Sequence, residues 1–291
     1  MIRGQTTTEG EMAETATMAN AVFCRARLNY VARGGFGEAV DPTEVTIFDG
    51  RRAALPDWKT CGFELRKHES SLTSWNDDAQ IERVHYPEIS AFAKSLTGCD
   101  HALVSGHIKR DPEQAAKHPD LGPIEFVHSD FAASYGQRMR DFYRDGTDEA
   151  ARALARSGIS ADAVAKARRI AIVQFWRNIG PAKMDRPIAF CDARTVTAAE
   201  LRTLPVHNYA GGGFFFETLA VAAPRDVSTH RWYAFPEMQP DEVVVFRTFD
   251  SDRATRGETF WTPHSAFSDP AVAPGRPSRR SIELRATCLF A

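Results

Sequence analysis

Residues 21–31 (AVFCRARLNYV) alternate apolar and polar side chains, the two-residue period of a half-buried strand, and the glycines of residues 33–38 (RGGFGE) break that period. Residues 45–50 (VTIFDG) and the segment around Trp58 to Leu65 read as short strands or loops. Between Glu82 and Leu96 the spacing turns helical through Ile89, Phe92 and Leu96, with Gly98 placed as the C-cap. Residues 101–108 (HALVSGHI) and 124–131 (IEFVHSDF) predict strands, separated by a polar, Pro-containing loop over 111–122. Residues 134–169 are Ala-rich, charged and helical in pattern, with Ser160 as an N-cap and Val164, Ala167 and Ile170 on one stripe. From about residue 170 the chain becomes a series of apolar or alternating runs cut by Gly, Pro and Asp: IAIVQFWRNI, RPIAFCDA, GGFFFETLAVA, HRWYAFP, DEVVVFRTF and SIELRATCLF. Six such runs predict an antiparallel sandwich or barrel. The expected organisation is one β-rich domain with flanking helices over 21–291, preceded by a loose, polar tail over 1–20.

Composition narrows the class of activity. The 291 residues carry 36 Lys+Arg against 38 Asp+Glu, a net charge of -2, without the basic excess of a nucleic-acid surface. No run approaches the roughly 18–20 apolar residues of a membrane span, and the polar first residues lack a signal peptide's apolar stretch. Five scattered cysteines with no CxxC pair fit neither a zinc knuckle nor a disulfide framework. The expectation is a cytoplasmic protein with a small-molecule substrate, no nucleic-acid or membrane partner, and a homodimer as an allowed assembly.

Candidate chemistry starts at His128-Ser129-Asp130. In a strand, i and i+2 share a face, so His128 and Asp130 converge while Val127, Ser129 and Phe131 turn away. An imidazole and a carboxylate so held are two legs of a facial metal site that needs one more imidazole. His264 follows two strand-like runs, and fifteen residues later comes SRRSIELR, in which Arg279, Ser281, Glu283 and Arg285 share one strand face. That face is either exposed surface or the lining of a polar cavity for an anion, since arginine grips a carboxylate with paired hydrogen bonds. Gly211-Gly212-Gly213 is followed by a strand pattern rather than a helix, which disfavours a nucleotide loop and a Rossmann-like methyltransferase. His68, His85, His118 and His207 have no partner at ligand spacing, and Asp250-Ser251 reads as a turn.

The order HxD, distant His, Arg-x-Ser resembles that of iron(II)/2-oxoglutarate oxygenases on a double-stranded β-helix, a jelly-roll or cupin-like core. YPEISAFAKSLTG with SGHIKR, VHSDF, FWRNIGP with RPIAFCDARTV, HRWYAFPEMQPDEVVVFRTFDS, PHSAF and SRRSIELR together resemble the CmcJ/AsaB-type hydroxylase/desaturase family, from about residue 80 to the C-terminus. The resemblance implies that His128, Asp130 and His264 ligate Fe(II), with 2-oxoglutarate and O2 as co-reactants. It implies Arg279 with Ser281, or Arg285 if the match is slid, as the anchor of the cosubstrate, and Tyr135 as a loop phenol near it. Trp176, Arg177, His230, His107 and Arg110 are carried as substrate-side candidates, although Trp176-Arg177 equally fits a strand end, Trp232 and Phe235 favour a packed sheet position for His230, and Gly106 stands where the family has an aspartate ahead of His107. The implied reaction is hydroxylation, desaturation or cyclisation at a C–H bond of a secondary metabolite or amino-acid-derived molecule. Two rival readings are a cupin-type metal-dependent isomerase or hydrolase, and a noncatalytic partner subunit of a biosynthetic oxygenase system.

Overall fold

The computed structural model describes residues 20–32, 39–213 and 215–291, so all but the last residue of the expected tail over 1–20, and the glycine break at 33–38, lie outside the described residues. Among the described residues, thirteen strands fall in two sheets. The larger has the order β1 (Val22–Val31), β2 (Val40–Asp49), β10 (Trp232–Ala234), β7 (Ile188–Cys191), β12 (His264–Ala266), β5 (His128–Ser129), β9 (Phe215–Val221), β8 (Leu201–His207). The smaller runs β3 (Phe63–Lys67), β11 (Glu242–Asp250), β6 (Arg169–Asn178), β13 (Ser281–Phe290), β4 (His101–Arg110). Every pairing between these strands is antiparallel except β10 with β2. The inner faces meet through Phe63, Phe190, Trp176, Val244 and Phe246, all buried. The curled sheets form the double-stranded β-helix that the family resemblance implies.

All six C-terminal runs contain strands, and the helical segment 82–96 is present as α2 (Tyr86–Thr97), entered through a wide turn at Ile81–His85 and ended by Gly98 at φ 71. Elsewhere local context overrides the pattern. The 111–122 loop contains α3 (Pro112–Lys117), because Pro112 occupies the first turn and the Asp111 side chain accepts from the Gln114 N–H at 2.8 Å. The helical region 134–169 is three helices, α4 (Tyr135–Arg144), α5 (Asp148–Ser157) and α6 (Ala161–Lys166), because Gly146 and Gly158 turn left-handed between them. Ser160 caps α6 as expected, but Ile170 belongs to β6, so the stripe shared with Val164 and Ala167 is a packed cluster and not one helix face. Strand β8 escapes the sequence pattern because Pro205 interrupts it, which an edge position tolerates.

Helix α1 (Trp58–Cys61) and α2 cover the outer face of the smaller sheet. There Glu88 accepts from Ser70 Oγ at 2.6 Å and from the Ser71 N–H at 2.8 Å, and it pairs with buried His85 at 2.8 Å. Burial, partly offset by the Glu88 hydrogen bond, lowers the His85 pKa to about 4. Above the unfolded value of about 6.5 the ring is neutral in both states; below it the unfolded chain binds the proton first, so stability falls with pH. Urea unfolding between pH 7 and 5, where Glu88 with its pKa of about 2 stays ionised in the folded protein, should show this decline, up to about 1.4 kcal/mol per pH unit for one group. The decline should be shallower in His85→Gln.

Candidate functional site

His128 sits in the two-residue strand β5 between β9 and β12, with Ala220 and His264 as its cross-strand partners. The rest of the expected 124–131 strand bonds elsewhere: the Val127 N–H donates to Asn29 O at 2.8 Å, and Asn29 Nδ2 to Glu125 O at 2.7 Å. Because His264 lies directly opposite His128, the two imidazoles stand on the same inner face with ring centroids 4.4 Å apart. Asp130 follows as the chain leaves β5, and its Oδ1 is 3.4 Å from both His128 Nε2 and His264 Nε2. All three are buried, and among the described residues they are the one group of side chains converging as metal ligands do.

The far side of each ring is fixed by the backbone. His128 Nδ1 is 2.7 Å from Phe126 O, and His264 Nδ1 is 3.0 Å from Thr262 O. Carbonyls only accept, so each ring donates Nδ1–H and turns Nε2 inward, toward Asp130. Burial pushes the Asp130 pKa up, but hydrogen bonds from both histidines and the Arg285 charge outweigh it and hold the carboxyl well below its ordinary range. Oxygen and nitrogen donors 3.4 Å apart match the spacing that one divalent ion needs, bonding each at about 2.1 Å.

On the polar face predicted for the last strand, Arg279, Ser281 and Glu283 are buried and Arg285 is half-buried. Arg110 Nη2 and Arg285 Nη2 each lie 3.3 Å from Glu283 Oε1, and Arg285 Nη2 lies 3.4 Å from Asp130 Oδ2. Two cations and two carboxylates thus alternate along the wall. Arg279 stands apart: it donates to Ser281 Oγ at 2.9 Å and to Arg186 O, with its Cζ 5.1 Å from the Trp176 ring. No carboxylate among the described residues forms an ion pair with it. Burial, together with the Arg110 charge, lowers its pKa to about 9.

The other predicted residues divide by strand parity. Gln174 and Trp176 face inward on β6, whereas Arg177 points outward, donating to Pro240 O and meeting His68 Nδ1 at 2.8 Å. His107 lies opposite Leu284, on the helix side of β4, bonded to Tyr86 Oη and Asp78, while Arg110 shares the inner face with Ser281. His230 packs with Tyr30 and Trp232 in the other sheet's core, its Nδ1 3.2 Å from Tyr30 Oη. Arg177, His107 and His230 are therefore turned away from the triad. Tyr135 opens helix α4, not a loop, stacked on Phe131 and against Phe249. Gln174 was missed in the sequence; its signal was a lone amide inside a buried apolar run. The tri-glycine segment lies at the β8–β9 turn, where no helix N-terminus follows it.

Fold and side-chain arrangement define a double-stranded β-helix protein in which two histidines and one carboxylate converge on a buried point that could hold a metal ion. Residues 26–289 match the family described as oxidoreductase/YMDC permease-like domain, and the chain belongs to that family. Among curated proteins it is 29% identical over 228 residues to the hydroxylase/desaturase CTB9 of Cercospora beticola, covering 72% of this chain and 65% of that protein, just under two thirds of its length. It is also 29% identical over 237 residues to the alpha-ketoglutarate-dependent dioxygenase phiK of a fungal species, covering 79% and 78%. Among solved structures, the iron and alpha-ketoglutarate-dependent endoperoxidase NvfI superposes with a TM-score of 0.67 at 20% identity over 93% of this chain and 99% of that one, a likeness of fold. The hydroxylase/desaturase resemblance read from the motifs agrees with these relatives. No helix among the described residues is long and apolar enough to cross a membrane.

Tyr30 gives a test that separates scaffold from site. Trp232 Nε1 donates to Tyr30 Oη at 2.7 Å in the buried core. Tyr30→Phe should cost about 1–3 kcal/mol by stranding that donor, read as a shift of the urea midpoint, while leaving metal affinity at the triad unchanged.

Proposed function

We propose that this chain is an iron(II)/2-oxoglutarate-dependent oxygenase that acts on a C–H bond of a small secondary metabolite or amino-acid-derived molecule, by hydroxylation, desaturation or cyclisation. The observation that carries this reading is the triad itself: two imidazoles locked by backbone carbonyls with Nε2 inward, beside a buried, ionised carboxylate. His128 Nε2, Asp130 Oδ1 and His264 Nε2 would hold the ion on one face, leaving room for a chelating cosubstrate and O2. Iron so bound supplies, with 2-oxoglutarate and O2, the oxidising power for an unactivated C–H bond. The names of the curated relatives support the same assignment of cofactor and reaction class.

The chain's own residues bind, orient and exclude water. Arg279 is our choice for the distal carboxylate of 2-oxoglutarate, with Ser281 fixing the guanidinium through its Nε. What supports Arg279 over Arg285 is charge. Arg285 is already matched by Asp130 and Glu283, which raise its pKa against the effect of burial, whereas Arg279 is a buried cation lacking an anion. The buried Trp176 Nε1, which has no hydrogen-bond partner among the described residues, adds a second donor beside it. Trp176 thus moves from the substrate side to the cosubstrate side. Phe131, Tyr135 and Phe249 form an aromatic wall that keeps water from the triad, with burial pushing the Tyr135 phenol up to about 12, so that it stays protonated. Five free thiols support a reducing compartment, the cytoplasm.

Two variants test the reading. His264→Ala should abolish substrate-dependent succinate formation; full decarboxylation in that variant would refute the triad. Arg279→Leu should raise the KM for 2-oxoglutarate by roughly 10–100-fold, the loss of a charged hydrogen-bond pair. An unchanged KM there, with a raised one in Arg285→Leu, would transfer the anchor to Arg285.

A further inference from the structure

The inner face of β6 is apolar on either side of one amide. Ile172 packs into the cluster beneath the helices and Trp176 into the aromatic core, while Gln174 between them is 1% exposed. A leucine there would bury more apolar surface and leave no polar atom in need of a partner, yet Gln174 Oε1 has none among the described residues. Its Nε2 hydrogen-bonds Asp130 Oδ2 and lies 3.4 Å from Thr248 Oγ1. Arg285, the cross-strand partner of Gln174 on β13, reaches the same Oδ2. The two oxygens of Asp130 are therefore sorted: Oδ2 collects both donors from the smaller sheet, and Oδ1 faces the two imidazoles of the larger one.

We propose that Gln174 is a positioning residue for the metal, holding Asp130 so that Oδ1 alone is offered to the ion. The inference rests on the metal-binding reading above and adds to it the reason why the carboxylate does not rotate to present both oxygens. Thr248 and the Arg285 partnership restrain the amide from the neighbouring strands β11 and β13.

The test is a titration of metal-free, full-length protein with Co2+ alone, followed by calorimetry and by the visible band of the bound ion, so no turnover is required. In Gln174→Met, which keeps volume and removes the donor, the Kd should rise by about 10–100-fold, the usual penalty for losing a partner of a ligating group. The band should also change shape as the carboxylate turns, a signature that a simple packing defect does not produce. A Kd and band identical to wild type would overturn the proposal. Asp130→Ala separates the two levels of the argument: tight Co2+ binding in that variant would sink the metal reading and this inference with it. An unchanged Gln174→Met alongside a crippled Asp130→Ala would sink this inference alone. If Gln174→Met does not fold, wild-type protein labelled with 15N-glutamine provides the second measurement. A side-chain amide protected from exchange and shifted by Zn2+ supports the proposal, and a freely exchanging, unshifted one overturns it.

Discussion

Burial of the Asp130 carboxylate is the constraint on which the rest of the site depends. A carboxylate enclosed by two β-sheets is strongly penalised unless charge and hydrogen bonds compensate it. Here compensation comes from both sheets: two imidazoles from the larger one, Arg285 and Gln174 from the smaller one. Arg285 in turn approaches Glu283, and Glu283 approaches Arg110, so one buried anion sets up a chain of alternating charges along the inner wall. The two cations and two anions of that chain cancel. Arg279 is left over, and that surplus charge is the physical basis of its proposed role toward an anionic cosubstrate.

The scaffold explains how such a cluster is held in place. His128 and His264 come from separate strands that pair at that one position, and backbone carbonyls of Phe126 and Thr262 lock the rings. Thr262, Ser129 and Thr218 tie the strands together through hydroxyls, with the Thr262 N–H donating to Ser129 Oγ and Thr218 Oγ1 to Ser129 O.

Much of the site was legible in the chain because its spacing is local. HxD puts two ligands on one strand face through a period of two, and Arg279, Ser281, Glu283 and Arg285 share a face by the same rule. What the spacing left open is of a different kind. Trp176 and Arg177 are adjacent, and only the register of β6 against β13 settles which faces inward. His107 and Arg110 are three apart on β4 and so fall on opposite faces. For His230 the neighbours Trp232 and Phe235 already favoured a packed sheet position, and it lies just ahead of β10 against Tyr30. On β4 and β6 side-chain chemistry was visible while direction was not.

The sequence by itself determined the strand-rich pattern, the residue types able to bind a metal and an anion, and the order that ties them to a family. It could do so because alternation, turn residues and ligand chemistry are properties of short segments. Only the tertiary structure decided that His264 lies opposite His128, that Arg285 is matched by anions while Arg279 is not, and that Gln174 touches Asp130. Those facts depend on register between strands far apart in the chain, and on a charge balance that has no meaning until the sheets close around it.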